Sequence, residues 1–482
     1  MAKSRPKKPR IESDLLGTKR VPGNAYYGVQ TLRAMENFKI SGVPLSQYPD
    51  FIRGLAYVKL AAARANHQVG AMSRRVMKGI EAACQDLLVG KLHDQFQVDI
   101  FQGGAGTSTN MAANEVIANR ALEHMGRRKG EYEYCDPHDH VNLSQSTNDA
   151  YPSAMHVAFL LGNERLRAEL GELVASFRAR GKKFAKVIKM GRTQLQDAVP
   201  MTLGQEFEAF ARTLEEEVHA LAAVERALCE TNMGGTAIGT GLNAPRGYAA
   251  ACARHLAKVT GRPFRMAHNL IEATQDTQAY VLYSGFLKSL SVKLSKVCND
   301  LRLLSSGPRA GLHEINLPAK QPGSSIMPGK VNPVIPEVVN QVCYKVIGND
   351  LAVTMAAEAG QLQLNVMEPV IAACIFESQT LLINASRTLR EHCVDGITAN
   401  AKECRDLVER SIGLVTALNP HIGYEKSTEL AAEALKTGKG IVELIREKGI
   451  LDRRQIERIL DPTAMTAGPD AATARRKGRK AR

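Results

Sequence analysis

The chain contains no tryptophan, and aromatic residues make up only 5% of its 482 positions. That scarcity weighs against the partner suggested by its net charge of +14. Basic proteins attract polyanions, but no aromatics are interleaved with the basic residues to give a base-stacking surface. The excess charge is also confined to the two ends. Lys3, Arg5, Lys7, Lys8 and Arg10 stand at the start, and Arg475, Arg476, Lys477, Arg479, Lys480 and Arg482 at the finish. Residues 1–10 and 467–482 therefore read as basic, disordered, solvated tails, and nucleic acid is not expected as a partner.

Other absences narrow the class further. The nine cysteines are odd in number and never form a Cys-x-x-Cys pair, which argues against a disulfide framework and a cysteine zinc knuckle. They read as small buried hydrophobes of a reducing compartment. No apolar run approaches bilayer-spanning length, and the N-terminal residues lack the apolar core of a signal peptide. The expectation is a cytoplasmic protein with no membrane partner. No alternation of apolar and polar residues supports a sizeable sheet, so the fold class is mainly α.

What is present is helical periodicity. Leu166, Leu170, Leu173, Val174 and Phe177 follow three-to-four spacing, and Phe207, Phe210, Leu214, Val218, Leu221 and Leu228 continue such a stripe. Stripes of that length point to bundle helices packed at shallow angles. The stretch from Pro336 to about Ala359 is apolar on several faces, as in a helix buried at the centre of a bundle.

One segment breaks this pattern: Gly323-Ser324-Ser325-Ile326-Met327-Pro328-Gly329-Lys330-Val331-Asn332-Pro333. Its glycines and prolines forbid a regular helix or strand, so it is a loop carrying two hydroxyls, a lysine and an amide. It is not a Walker phosphate loop, because five residues separate its glycines and Val331 follows Lys330 where that motif needs Ser or Thr. By composition alone a connector is the ordinary explanation. The chemical alternative is a serine whose oxyanion is stabilised by Lys330 and by backbone N–H groups, as in an anion nest. Spacing does not separate Ser324 from Ser325.

The segment closely resembles the signature loop of the fumarase/aspartase superfamily, lyases that eliminate across a C–C bond of a dicarboxylate or its derivative. The resemblance extends to Ile11-Glu12-Ser13-Asp14-Leu15-Leu16-Gly17, Ala25-Tyr26-Tyr27-Gly28-Val29, Gly106-Thr107-Ser108-Thr109-Asn110-Met111 and Ser144-Gln145-Ser146-Thr147-Asn148-Asp149. Gly191-Arg192-Thr193-Gln194-Leu195-Gln196-Asp197 and Leu418-Asn419-Pro420 complete the series in family order, from about Ile11 to about Leu460. It implies three helical domains (11–147, 148–401 and 402–466), the middle one a five-helix bundle. It also implies a homotetramer with a twenty-helix core and active sites each shared among three subunits.

Residue by residue, the resemblance makes Ser324 the base. Thr107, Ser146, Thr147, Asn148, Lys330 and Asn332 become binders of the substrate carboxylates. Abstracting a proton beside a carboxylate creates a dianionic carbanion, and a dense donor array is what such an intermediate needs. The same Thr, Ser and Asn residues suit plain helix capping, and both roles are compatible.

Fumarases usually carry a histidine where Gln194 stands, paired with an acid matching Glu337. A leaving ammonium already carries its proton, so the non-titrating Gln194, with Thr193, suits an amine-orienting role. The stretch Ala356-Ala357-Glu358-Ala359-Gly360-Gln361-Leu362-Gln363-Leu364-Asn365 also resembles the aspartase branch. The expected reaction is conversion of L-aspartate to fumarate and ammonia without an organic cofactor. Its rivals are fumarate hydratase and a catalytically silent structural member. Arg33 is either a carboxylate ligand or half of a salt bridge. His138-Asp139-His140 near Cys135 is a weak zinc pattern, and for that region the resemblance implies only activation by a divalent metal, magnesium.

Overall fold

The computed structural model describes residues 8–459 and 461. The tail segments 1–7 and 467–482 lie outside the described residues. Arg10, assigned to a tail by its charge, instead opens the strand Arg10–Asp14, and its guanidinium donates to Glu12 and to the carbonyls of Ala25 and Tyr27. The chain is mainly α, and the strands among the described residues form only four two-stranded sheets.

Two compact units are present. One comprises Met1–Arg167, His219–Ser291 and Cys343–Ile383; the other comprises Ala168–Val218, Val292–Val342 and Asn384–Arg482. Five long helices, Thr147–Lys183, Leu203–Ala227, Gln278–Leu304, Val334–Glu358 and Glu368–His392, contribute to both.

In the first unit the helix Pro49–Gln68 begins with proline and carries Asp50 in its first turn, which complements the helix dipole. Gly54 allows it to touch a neighbour directly: a Cβ there would stand 2.3 Å from the Ala154 carbonyl oxygen. Around that contact Phe51 meets Tyr151 and Phe376 with ring centroids 5.2 and 5.1 Å apart, and Phe159 meets Phe376 at 4.8 Å. The bundle part also carries a buried amide, Gln379, donating to the Phe159 carbonyl, Asn163 and Tyr283. A satisfied polar group of this kind fixes helix register more sharply than apolar packing does.

In the second unit Phe177, Phe184, Phe207 and Phe210 form a ring cluster. The small C-terminal helices build their own core around Val408, Leu414, Leu418, Leu430, Ile441 and Ile445. Ile188 and Met190 of an antiparallel hairpin, Ile188–Thr193 with Gln196–Thr202, belong to the same core. The hairpin is thereby rooted in packed side chains at one end, leaving its tip to carry Gln194.

Two sequence expectations need revision. Among the described residues one helical stretch, Glu368–Gly396, is long and apolar enough to cross a membrane, whereas no such run was expected. Yet 72% of its most apolar window is buried inside the protein, the condition of a core helix. The helix Val334–Glu358 is not enclosed all round in the single chain: Val338, Tyr344, Leu351 and Met355 are 43%, 58%, 62% and 65% exposed. Sequence periodicity registers every apolar face, including faces that this chain alone does not cover.

All nine cysteines are buried and none forms a disulfide. Burial pushes the thiols of Cys135 and Cys252 up to about 12.

Asp86 gathers Lys91, Arg120 and His124 around one buried carboxylate. Burial pushes its pKa up, but hydrogen bonds from these three groups outweigh that and hold it well below the ordinary 3.8. A depressed carboxylate contributes stability above its unfolded pKa and loses it as pH falls through the folded one. Asp86→Asn is therefore expected to cost roughly 1–3 kcal/mol at neutral pH. In urea unfolding the gap from wild type should narrow steadily below about pH 4; a gap independent of pH would contradict the assignment.

Candidate active site

The signature loop is closed at its base by its own backbone. Gly323 N–H donates to the Lys330 carbonyl at 2.7 Å, and Asn332 Nδ2 donates to the Gly323 carbonyl at 2.7 Å. Gly323 is required here by space, since a Cβ would lie 2.5 Å from the Lys330 oxygen. Within this closed loop Ser324 Oγ accepts from the backbone N–H of Ile326 at 3.1 Å and of Met327 at 2.9 Å. Two amide dipoles thus point at one hydroxyl oxygen, the arrangement that favours an oxyanion. Ser325, left open by spacing, is exposed. Lys330 is exposed and lines the same hollow as Ser324, with Met327 and Pro328 on its walls. Asn332 is committed to closing the loop through its amide nitrogen. Glu337 lies in the first turn of the helix that follows, its N–H bonded to the Pro333 carbonyl.

Thr193 and Gln194 stand at the tip of the hairpin. Gln194 and Leu195 both have positive φ, 55° and 62°, between the paired residues Thr193 and Gln196. A two-residue turn with both residues left-handed matches the twist of the strands, but it is an uncommon conformation for residues other than Gly, Asn or Asp. Asp197 accepts from Ser411 Oγ at 2.6 Å, which ties the second strand to the C-terminal helices.

The remaining predicted binders belong to the first unit. Thr107 begins the helix Thr107–His124 behind Gly106, which is left-handed at φ 86° and gives no side-chain cap. Thr107 Oγ1 donates to the Gly104 carbonyl. Ser146 behaves as capping predicts: its Oγ accepts from Asn148 N–H while Asp149 reaches back to the Ser146 N–H. Thr147 Oγ1 accepts from Asn110 Nδ2, one turn along the helix from Thr107. Asn148 Nδ2 donates to the Ala237 carbonyl at 2.7 Å. Thr107 and Ser146-Thr147-Asn148 are thus joined through Asn110, while Ser324, Lys330, Asn332, Thr193 and Gln194 belong to the other unit.

Sequence reading missed the groups that hold this first cluster. Lys59 is fully buried, and its ammonium donates to Asn142 Oδ1 at 3.0 Å and Gln145 Oε1 at 2.9 Å. Asn142 Oδ1 also accepts from Asn110 and Asn114. Asp149, equally buried, accepts from the N–H groups of Ser146, Gly234 and Thr236. Burial pulls Lys59 down to about 7 and pushes Asp149 up to about 7, each charge opposing the shift of the other. The available signal was a lysine inside the apolar run Leu55-Ala56-Tyr57-Val58-Lys59-Leu60-Ala61.

Arg33 forms the salt bridge, donating to both Asp14 oxygens at 2.8 Å. His138 Nε2 meets Gln30, His140 Nδ1 accepts from Asp136 N–H, and no three His, Cys, Asp or Glu come together as a metal site among the described residues.

The family model described as Lyase matches residues 17–348, and the one described as Fumarase C C-terminus matches residues 414–467. A protein named aspartate ammonia-lyase from Pseudomonas fluorescens is 61% identical over 459 residues, which span 95% of this chain and 96% of that one. The crystal structure described as fumarate lyase:delta crystallin from Brucella melitensis bound to cobalt superposes with a TM-score of 0.92 at 55% identity, covering 95% of this chain and 100% of that one. A class II fumarase from Schistosoma mansoni superposes with a TM-score of 0.87 at 35% identity, covering 95% and 99%.

Two substitutions test the geometry. Gly323→Ala should force the base of the loop open and lower turnover by about 10²-fold, with circular dichroism and thermal midpoint close to wild type. Lys59→Met leaves Gln145 Oε1 without its donor, while Asn142 Oδ1 keeps those of Asn110 and Asn114. It should destabilise the first unit by roughly 1–3 kcal/mol and lower kcat/KM; unchanged kinetics would show that the network does not shape the Thr147 turn.

Proposed function

The chain belongs to the fumarase/aspartase family of lyases, and from that premise we propose that it is a carbon–nitrogen lyase converting L-aspartate reversibly to fumarate and ammonia. The observation that carries the mechanism is the pair of backbone N–H groups directed at Ser324 Oγ. They lower the cost of placing negative charge on that oxygen, and Lys330 adds positive potential along the same hollow. The Ser324 alkoxide removes a proton from the carbon beside the substrate carboxylate, and the electron pair is delocalised into that carboxylate as a dianion. Collapse of the dianion forms the double bond and breaks the C–N bond, whose electrons leave with neutral ammonia. Thr107, Ser146, Thr147, Asn148, Lys330 and Asn332 bind the carboxylates. Thr193 and Gln194 orient the amine.

Gln194 supports ammonia as the leaving group, because a side chain that does not titrate delivers no proton to a departing hydroxide. The chemistry proposed here uses side chains and backbone only, with no organic cofactor.

The working form is a homotetramer whose sites each take residues from three subunits. In support, the bundle helices expose apolar side chains in rows, Val281, Leu282 and Val292 on one helix and Val338, Tyr344, Leu351 and Met355 on another. The site residues also fall into groups on different units of the chain. A cytoplasmic location is part of the same reading.

The test follows fumarate by ultraviolet absorbance with aspartate and malate offered separately. Aspartate should give fumarate; preference for malate would make the protein a hydratase, and silence with both would make it a structural member. Ser324→Ala should lower kcat by about 10²–10⁴-fold with the tetramer intact by light scattering. Mixed tetramers of Ser324→Ala and Thr147→Ala chains should regain activity, and failure to do so would argue against sites shared between subunits.

A further inference from the structure

The second unit gathers four charges beneath the hairpin that carries Thr193 and Gln194, two of them buried and two partly buried. Glu314 is fully buried and Lys189 is 2% exposed. Arg192 Nη1 donates to Glu314 Oε1 at 2.7 Å. Lys189 Nζ lies 2.9 Å from Glu314 Oε2 as an ion pair, outside hydrogen-bond alignment, and donates to Glu206 Oε2 at 2.6 Å. Taking Glu314 and Lys189 out of water is costly, and apolar side chains of similar volume would hold a core as well or better. Stability alone therefore gives this cluster no reason to exist.

Its construction points to placement. In a regular strand, residues 189 and 192 face opposite sides. Here the pairing register slips between Met190 and Arg192, where Ala198 and Val199 of the second strand stand against Gly191 alone, and Lys189 and Arg192 both reach one carboxylate. Gly191 stands opposite the bulge, where a Cβ would meet the Val199 carbonyl oxygen at 2.8 Å. The backbone of Glu314 is fixed as well: its N–H donates to the Leu304 carbonyl, and its carbonyl accepts from Asn400 N–H and Cys404 Sγ. From Glu314 the chain pairs as Ile315–Asn316 with Thr398–Ala399 and continues into the signature loop. One carboxylate thus joins the residue preceding Thr193 to the root of the segment carrying Ser324.

We propose that Glu314 is a positioning residue which, through Arg192, sets the Thr193–Gln194 turn that orients the substrate amine. The inference rests on the aspartate lyase reading and deepens it. Glu314 touches no reacting atom; it acts by holding the amine-orienting turn in register with the loop. Loosening that turn should weaken ligands bearing an amine and spare those with carboxylates alone.

The experiment compares the KM for aspartate with the Ki for succinate, a dicarboxylate without an amine, in full-length wild-type, Glu314→Gln and Arg192→Lys proteins. The expected result is a rise in aspartate KM of about tenfold or more, with kcat/KM falling by up to ~10², while succinate Ki moves less than twofold. Gln194→Ala should produce the same pattern and add little when combined with Glu314→Gln, since coupled residues are not additive. Arg192→Lys keeps the charge and the fold, and it carries the test if Glu314→Gln does not fold. An aspartate KM and succinate Ki that rise in step, or a loss of active fraction with both unchanged, would overturn the inference. Wild-type protein that releases no fumarate from aspartate would instead overturn the reading beneath it.

Discussion

A hydroxyl can act as a base near neutral pH only where its surroundings welcome negative charge, and that constraint governs the design of the second unit. Two amide N–H groups converge on Ser324 Oγ because the loop is drawn shut between Gly323, Lys330 and Asn332. Backbone dipoles suit this task better than a side chain alone. They are fixed before substrate arrives and need no reorganisation as charge develops. The prolines and glycines that break the helical pattern thereby create a backbone able to point two amides at a single oxygen.

The two parts of the candidate site are held in different ways. In the first unit, Thr147 and its neighbours rest on amides and on the buried pair Lys59 and Asp149. In the second, the hairpin is held by apolar residues at its root and by charges beneath its tip. Both solutions bury titratable groups behind the residues proposed to meet substrate. Such groups are expensive, and their cost is tolerable where a displacement of a few tenths of an ångström would matter to a reacting ligand.

Much of this was legible in the chain. The mainly helical class followed from the Leu166–Phe177 and Phe207–Leu228 stripes, whose residues lie in the long helices except Leu228, one position past a helix end. Ser324 was selected by resemblance, and the amides directed at its oxygen are a physical reason that spacing could not supply. Arg33 was balanced between two roles until Asp14 was found beside it, because a partner nineteen residues away leaves no local signature. Lys59, Asp149 and Glu314 went unnoticed for a related reason. Their partners come from distant segments, and a single charged residue in an apolar stretch does not announce what it will face. The helix Val334–Glu358 shows the opposite limit: its apolar faces were plain, but which of them meets its own chain was not.

The sealed cysteines give the molecule a built-in clock. Cys84, Cys135, Cys229, Cys252, Cys343 and Cys374 belong to one unit and Cys298, Cys393 and Cys404 to the other, all shielded from water in the native state. A thiol reagent can reach them only when the surrounding structure loosens, so labelling rates followed by mass spectrometry would time the breathing of each half separately.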